Sequence, residues 1–484
     1  MIIRWICEKC SKKWIYPIEK CIYCKGPVTK QKGTQMKVIG FTKVTIPSPT
    51  HPIIPYNILL LQDEFGNRLP KKTMKDYKIG DVYTEKKSES DDAVAIIKVK
   101  YDIFEAIKDA LGLLKDVKFD SEEKILIKPS IIAAAYPYQA VNVNPDMLDA
   151  LIAVLFEYGI KKENVIVAEQ ALIGSSAADA ASKSGALEVC KKRGVAFADI
   201  SKGPFEKVEC DGYEFSIYKE ALHRKIINVP IMKTNFQLGI SGALENLTRL
   251  VDEKTQRDMY YKGLGNILPK LVKALPDVFT IADATNGMQG LGPLASGEPA
   301  FLNLIFAGRN AAALDSIFCE ISMIKIPPYV KAAGSGINPK KIEVVGNEID
   351  ALKNPIKPAN PEETPHSDIK VVDYGACPAC LNLMYNLTSK MIGLRGSELY
   401  VLIGSQFDGK VLEGGERIVA IGDCAIKKME ELKINTIAKI PENLDMVEQI
   451  VLMKKLLTTE GTPKITSVDK VKSKMTKLLS RAVR

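Results

Sequence analysis

The chemistry open to this chain of 484 residues is set by ten cysteines and only three histidines, His51, His223 and His366. So few imidazoles argue against a histidine-rich metal site. Cysteines grouped in a cytosolic chain read as metal or redox ligands rather than as a disulfide framework. Cys7-x2-Cys10 and Cys21-x2-Cys24 are two knuckles separated by ten residues. Each presents two thiolates to one side of a tight turn, and together they can close a tetrahedral S4 site. All four positions come from protein, so the site is expected to be structural, and zinc is favoured over rubredoxin-type iron because nothing nearby suggests electron transfer. Cys377, Cys380 and Cys424 form a second group. Three such thiols could hold a 4Fe-4S cluster with one iron left for another ligand, Asp423 being one candidate. A CxxC redox dithiol, inert packing or zinc are the competing readings. Cys190, Cys210 and Cys319 are scattered and read as small buried hydrophobes.

A second set of candidates consists of polar residues directly following apolar runs: Lys128 in KILIKPS, Glu169 in VIVAE, Lys233 and Asn235 in INVPIMKTN, and Asp283 in VFTIAD. In open α/β sheets ligands collect at the carboxyl ends of strands. A lysine at a strand's mouth can hold a carboxylate or phosphate, or act as a base when desolvated. The plainer reading is that each lysine snorkels to water. Gly-rich segments recur in SGALEN, NGMQGLGP and AGSG, but none carries a P-loop lysine or opens a helix as GxGxxG.

The elements that must position these residues change character along the chain. Residues 1–33 read as a zinc ribbon, and 34–88 as short alternating strands of a small OB-like β-barrel. Residues 90–350 alternate buried strands with helices, predicting an α/β domain with a mostly parallel sheet. A Pro/Asn/Glu-rich linker at 351–367 precedes a smaller α/β domain at 368–458, in which Cys377 and Cys380 fall where a strand passes into a helix and Cys424 just past the end of another strand. A basic tail follows at 459–484.

With 46% hydrophobic and 26% charged residues the composition is that of an ordinary globular chain. No apolar run is long enough to span a membrane and the start has no signal-peptide core, so a cytoplasmic location is expected. The net charge of +9 is concentrated at the ends, with ten Lys/Arg against two Glu in residues 1–43 and seven against two acids in 459–484. The intervening body is mildly acidic. That distribution suggests docking surfaces at the ends rather than a central nucleic-acid cleft.

Over residues 3–88 the four cysteines, Trp14, Pro17 and GFTKVTIP resemble the acyl-CoA-associated ribbon/OB family called domain of unknown function 35. This resemblance implies an accessory to a thiolase-like enzyme and an acyl-thioester context. Over residues 92–350 a second set of motifs runs Lys128-Pro129, Glu169, Asn228-Val229-Pro230, Lys233-Thr234-Asn235, Gly242 to Asn246, Asp283, Gly292-Pro293 and Asp315. That order resembles the iron-sulfur-associated family called domain of unknown function 362. The chain departs from that family's usual pattern by having Asn235 in place of a histidine, Glu245 in place of a lysine, and Ser130 in place of an asparagine.

Three functions follow as expectations. The first is a metalloenzyme acting on a carboxylate or acyl-thioester between Lys128 and Lys233, with structural zinc and a 4Fe-4S cluster. The second is a non-catalytic accessory docking on a thiolase-like enzyme. The third, less favoured, is nucleic-acid binding through the basic ribbon/OB end.

Overall fold

The computed structural model describes residues 2–100, 102–172, 176–294, 297–334, 338–359, 366, 368–376, 378–391, 393–407, 417–442, 444, 446–459 and 463–470. Cys377, residues 360–365 and 367 of the expected linker and most of the expected basic tail lie outside these described residues. By packing, the chain forms two compact units. The larger comprises Met1–Gln170, Ala177–Asp252 and Leu268–Ala359, and the smaller comprises Ala171–Ser176, Glu253–Ile267 and Asn360–Arg484.

The larger unit begins with β1 (Ile3–Cys7), β2 (Lys13–Trp14) and β3 (Val28–Lys32), an antiparallel sheet in the order β2-β1-β3. Its core is Trp5, Trp14, Cys7 and Cys21. Two of these four are the candidate ligands themselves, so little apolar surface holds the module together without a bound ion. Strands β4 (Met36–Val44), β5 (Tyr56–Asp63), β6 (Arg68–Thr73) and β7 (Val82–Tyr83) follow. Period-two alternation turns Met36, Val38, Leu59 and Leu61 inward, where Ile2 and Tyr83 complete the core. Within 34–88, where a small OB-like β-barrel is expected, these strands form a four-stranded sheet in the order β6-β5-β4-β7. Its outer strands are not paired with each other among the described residues.

The large sheet is built from β8 (Val94–Lys98), β9 (Ile125–Pro129), β10 (Val165–Glu169) and β11 (Ala196–Asp199), and continues after the hairpin β12 (Phe205–Cys210) and β13 (Tyr213–Tyr218). Its remaining strands are β14 (Lys225–Val229), β15 (Ile231–Asn235), β16 (Gly239–Ser241), β17 (Val278–Gly290), β18 (Gly297–Pro299), β19 (Leu304–Gly308) and β20 (Val344–Gly346). The principal order is β11-β10-β9-β14-β17-β19-β8-β20, with β15 and β18 added along β17. The first five strands are mutually parallel, whereas β19 runs antiparallel to both its neighbours. Strands β9, β14 and β19 are buried at every residue or nearly so, as strands covered on both faces must be. The covering helices include Pro145–Glu157, started by Asn144 as N-cap with proline in the first turn, and Ala311–Ser322, capped by Asn310.

The smaller unit carries a four-stranded parallel sheet, β21 (Ile369–Tyr374), β22 (Leu399–Gly404), β23 (Ile418–Ile421) and β24 (Ala438–Ile440), in sequence order. Helices Pro378–Ser389 and Asp423–Glu431 leave the carboxyl ends of β21 and β23. Parallel strands place those two ends on one edge. Among the described residues no helix is long and apolar enough to cross a membrane.

Candidate functional site

The sheet of the larger unit brings Lys128 and Glu169 together at the ends of adjacent strands β9 and β10. Lys128 Nζ lies 2.9 Å from Glu169 Oε1 and 3.0 Å from Oε2, and neither side chain has exposed surface. The ammonium also donates to Asn246 Oδ1 at 2.9 Å and to the Pro129 carbonyl at 3.2 Å. Glu169 accepts the backbone N–H groups of Ile131 and Gln170. Burial pushes the lysine down and the carboxyl up, each partly offset by the attraction of the other. The amide donors converging on Glu169 favour its ionised form. With three protons donated and both oxygens occupied, the pair has little capacity left for a ligand.

Asn246 extends this network, donating to Asn228 Oδ1 on β14 and to the Lys128 carbonyl. It sits on the short helix Ala243–Leu247, whose first N–H groups are received by Asp315: Ala243 N at 2.6 Å and Leu244 N at 3.0 Å. Burial raises Asp315 to about 7 despite those donors. Gly242 is required here, because a Cβ on it would stand 2.1 Å from Asp315 Oδ1. The Gly242-to-Asn246 motif therefore locks one turn of helix over the strand ends. It fixes the direction of Glu245 and, in the 3-10 turn Thr248–Leu250, of Arg249.

Lys233 on β15 is 1% exposed, and its one hydrogen-bond acceptor is the Val141 carbonyl at 2.8 Å. Desolvation lowers it to about 7, with Glu245 and Glu169 raising it and Arg249 and Lys128 lowering it, so all five charges act at one place. Arg249 is 3% exposed and makes one long contact, 3.5 Å to the Gln170 carbonyl. The side-chain carbonyl of Gln170 is buried with no partner. Lys128, Lys233 and Arg249 here meet Glu169 and Glu245, and of these Lys128 and Glu169 pair with each other. The cluster's unused hydrogen-bonding capacity lies at Lys233, Arg249 and Gln170.

The two remaining candidates are occupied by backbone. Asp283 on β17 accepts Asn144 N through Oδ2, and both Thr285 N and Thr285 Oγ1 through Oδ1. It thereby ties the start of helix Pro145–Glu157 to the sheet, and burial raises its carboxyl pKa. Asn235 receives Gln237 N and Leu238 N and donates to Ser241 Oγ, shaping the turn between β15 and β16.

The four amino-terminal cysteines have sulfurs within 4.8 Å of one another, with Cys7 to Cys24 at 3.4 Å and Cys10 to Cys21 at 3.6 Å. A tetrahedral S4 site with metal–sulfur bonds of about 2.3 Å needs sulfur separations of about 3.8 Å, so the group can hold a metal ion as it stands. Backbone N–H groups of Lys9 and Cys24 point at the Cys7 and Cys21 sulfurs. Burial pushes the Cys21 thiol up, but the N–H groups of Cys24 and Tyr23 and the neighbouring thiols outweigh it and bring it down to about 6.

In the smaller unit Cys380 is fully buried and donates to Glu442 Oε1 at 3.5 Å. Glu442 is in turn gripped by Arg257 through both oxygens. The Cys380 sulfur lies against Gly422, where a Cβ would come within 2.2 Å of it. Gly422 immediately precedes Asp423 and Cys424, so the β23 turn is brought onto the β21 turn at one sheet edge. Cys377 lies outside the described residues.

The model of the family described as Domain of unknown function (DUF362) matches part of the chain. Residues 125–320 carry the DUF362 match. The DUF362 segment thus contains the whole cluster, from Lys128 to Asp315, while the four-cysteine module lies outside it. No curated protein matches the chain. Among solved structures the chain is similar to an "Ltp2-ChsH2(DUF35) aldolase", at 19% identity over 18% of this chain and 75% of that chain, with a TM-score of 0.15. Sequence reasoning missed Arg249 and Gln170, although Arg249 lies three residues after the Gly-rich SGALEN segment that contains Glu245.

Proposed function

We propose that the chain is a cytoplasmic metalloenzyme whose DUF362 segment binds an anionic substrate, a carboxylate or acyl-thioester, against Lys233 and Arg249. The observation carrying this reading is that Lys233 and Arg249, both buried, have the most unused donors in the cluster. A buried cation without a counterion is costly, and a carboxylate seated on it repays that cost. Lys233, with its pKa lowered to about 7, is half-neutral near neutral pH and can take a proton from a substrate held there. The Lys128–Glu169 pair and Asn246 act by holding the strand ends and the short helix in place.

In this reading Cys7, Cys10, Cys21 and Cys24 hold structural zinc, and Cys377, Cys380 and Cys424 hold a 4Fe-4S cluster. Such a cluster would supply Lewis-acid or electron-transfer chemistry. A thiolase-like enzyme is the expected source or recipient of the acyl group.

Calorimetric titration of anaerobically purified protein with short acyl-CoA thioesters and the matching free carboxylates tests the reading. Saturable binding weakened at least about tenfold in Lys233→Met is expected, the scale of one charge-assisted contact. Equal binding by wild type and Lys233→Met contradicts it.

A further inference from the structure

A cavity of about 810 Å³ lies within the larger unit, walled on one side by the sheet β6-β5-β4-β7 and on the other by β8, β19 and the turn before β19. This volume is within the roughly 300–1,000 Å³ typical of small-molecule sites. Its apolar wall includes Ile58, Leu61 and Leu69 from the smaller sheet and Leu302 and Leu304 from the larger. None of these residues belongs to the Lys233 cluster.

Four lysines, Lys71, Lys72, Lys98 and Lys100, also line this space. The Lys72 ammonium is buried with no hydrogen-bond partner and stands 4.2 Å from the Tyr56 ring centroid. Lys98 Nζ donates to the Leu302 carbonyl at 2.9 Å, and Lys100 Nζ to the Pro70 carbonyl at 3.2 Å. Among the described residues Lys72, Lys98 and Lys100 are not ion-paired, whereas the acids on the wall have other partners, Asp102 accepting Glu105 N at 3.3 Å. Glu85 meets Lys71, and Glu105 and Asp109 meet Lys32. Desolvation, with Lys98 adding repulsion, lowers Lys72; desolvation lowers Lys98; and desolvation with repulsion from Lys71 and Arg4 brings Lys100 to about 8. His51, also on the wall, is lowered by burial and by both Lys72 and Lys98. Lys72, Lys98 and His51 therefore stand close enough to repel one another on a wall of mixed apolar and charged residues, and neither lysine is ion-paired among the described residues.

We propose that this cavity binds an anionic amphiphile, its apolar body on the leucine walls and its terminal carboxylate or phosphate on Lys72 and Lys98. The anion would answer the Lys72 ammonium, which is buried without a hydrogen-bond partner. The apolar body would lie on the leucine and isoleucine side chains that share the wall with these polar groups. This assignment stands apart from the substrate reading at Lys233.

Trp5 lines the cavity, and the chain's only other tryptophan is Trp14, so the full-length, metal-loaded protein reports on occupancy by its own fluorescence. The probes are dodecanoate, dodecyl phosphate, neutral 1-dodecanol and inorganic phosphate, each below its aggregation concentration. Saturable binding of at least one charged chain is expected, at least about tenfold tighter than dodecanol, and inorganic phosphate alone should not compete at equal concentration. Preference between the two charged chains identifies the head group. Lys72→Gln and Lys98→Gln should each weaken the charged chain about tenfold and leave dodecanol unchanged. A chain brominated at its far end should quench Trp5. Equal affinity for dodecanol and both charged chains overturns the proposal whether or not the variants fold. So does the absence of binding by either charged chain, or wild-type affinity in both folded variants.

Discussion

Lys128 on β9 and Glu169 on β10 form an ion pair with no exposed surface, its ammonium 2.9 Å from one carboxylate oxygen and 3.0 Å from the other. Removing one partner leaves a buried charge without a counterion, which typically costs about 3–5 kcal/mol. Lys128→Ala and Glu169→Ala are each expected to lose stability on that scale in urea denaturation. Lys128→Met combined with Glu169→Leu should lose less than the sum of the single changes. Single variants within about 0.5 kcal/mol of wild type would show that the pair does not hold the strand ends.

Lys233 gives the fold a defined pH dependence. Burial lowers its ammonium to about 7 from an ordinary value of 10.5. Between those values the unfolded chain binds a proton that the folded chain lacks, so stability rises with pH there and is lowest below about 7. Lys233→Met removes this titration. The stability of wild type minus variant should climb from about pH 7 to pH 9 by as much as about 1.4 kcal/mol per unit. A difference that is flat across that range would place the amine outside the buried cluster's influence.

The amino-terminal module should depend on its metal. Trp5 and Trp14 share a core with Cys7 and Cys21, so stripping the ion opens the surroundings of both tryptophans. A strong chelator is expected to red-shift their emission, and Cys21→Ser to abolish binding of one metal ion per chain. Emission indifferent to metal content would mean that the module is held by its small apolar core alone.

At the edge of the smaller sheet, Cys380 lies against Gly422 beside the Cys424 turn. Iron analysis of anaerobically purified protein is expected to give about four irons per chain. These should be lost in Cys380→Ser and in Cys424→Ser, but kept in Cys7→Ser. Iron-free protein would rule out the cluster.

Much of this architecture could be read from the chain. The knuckle spacing of Cys7, Cys10, Cys21 and Cys24 dictates a cluster of thiols, and the apolar runs around Lys128, Glu169 and Asp283 mark strands of a covered sheet. What a polar residue at a strand end bonds to is settled by chain segments distant in sequence. Asp283 looks like a ligand-facing acid until Asn144, 139 residues earlier, is seen donating to it. Arg249 escaped notice because it follows a five-residue helix rather than an apolar run, and its burial depends on how Asp315 and Asn246 seat that helix. The segment Glu253–Ile267 packs with the smaller unit although its neighbours on either side belong to the larger. No local composition signals that exchange, because it is decided by tertiary contacts such as Arg257 with Glu442.

The claim on which the account rests is that Lys233 and Arg249 receive an anion. A crystal structure of the protein soaked with a short acyl carboxylate tests it most directly. Carboxylate oxygens are expected within hydrogen-bond distance, about 2.7–2.9 Å, of both Lys233 Nζ and the Arg249 guanidinium. A carboxylate bound elsewhere, with Lys233 still donating only to Val141, would contradict it.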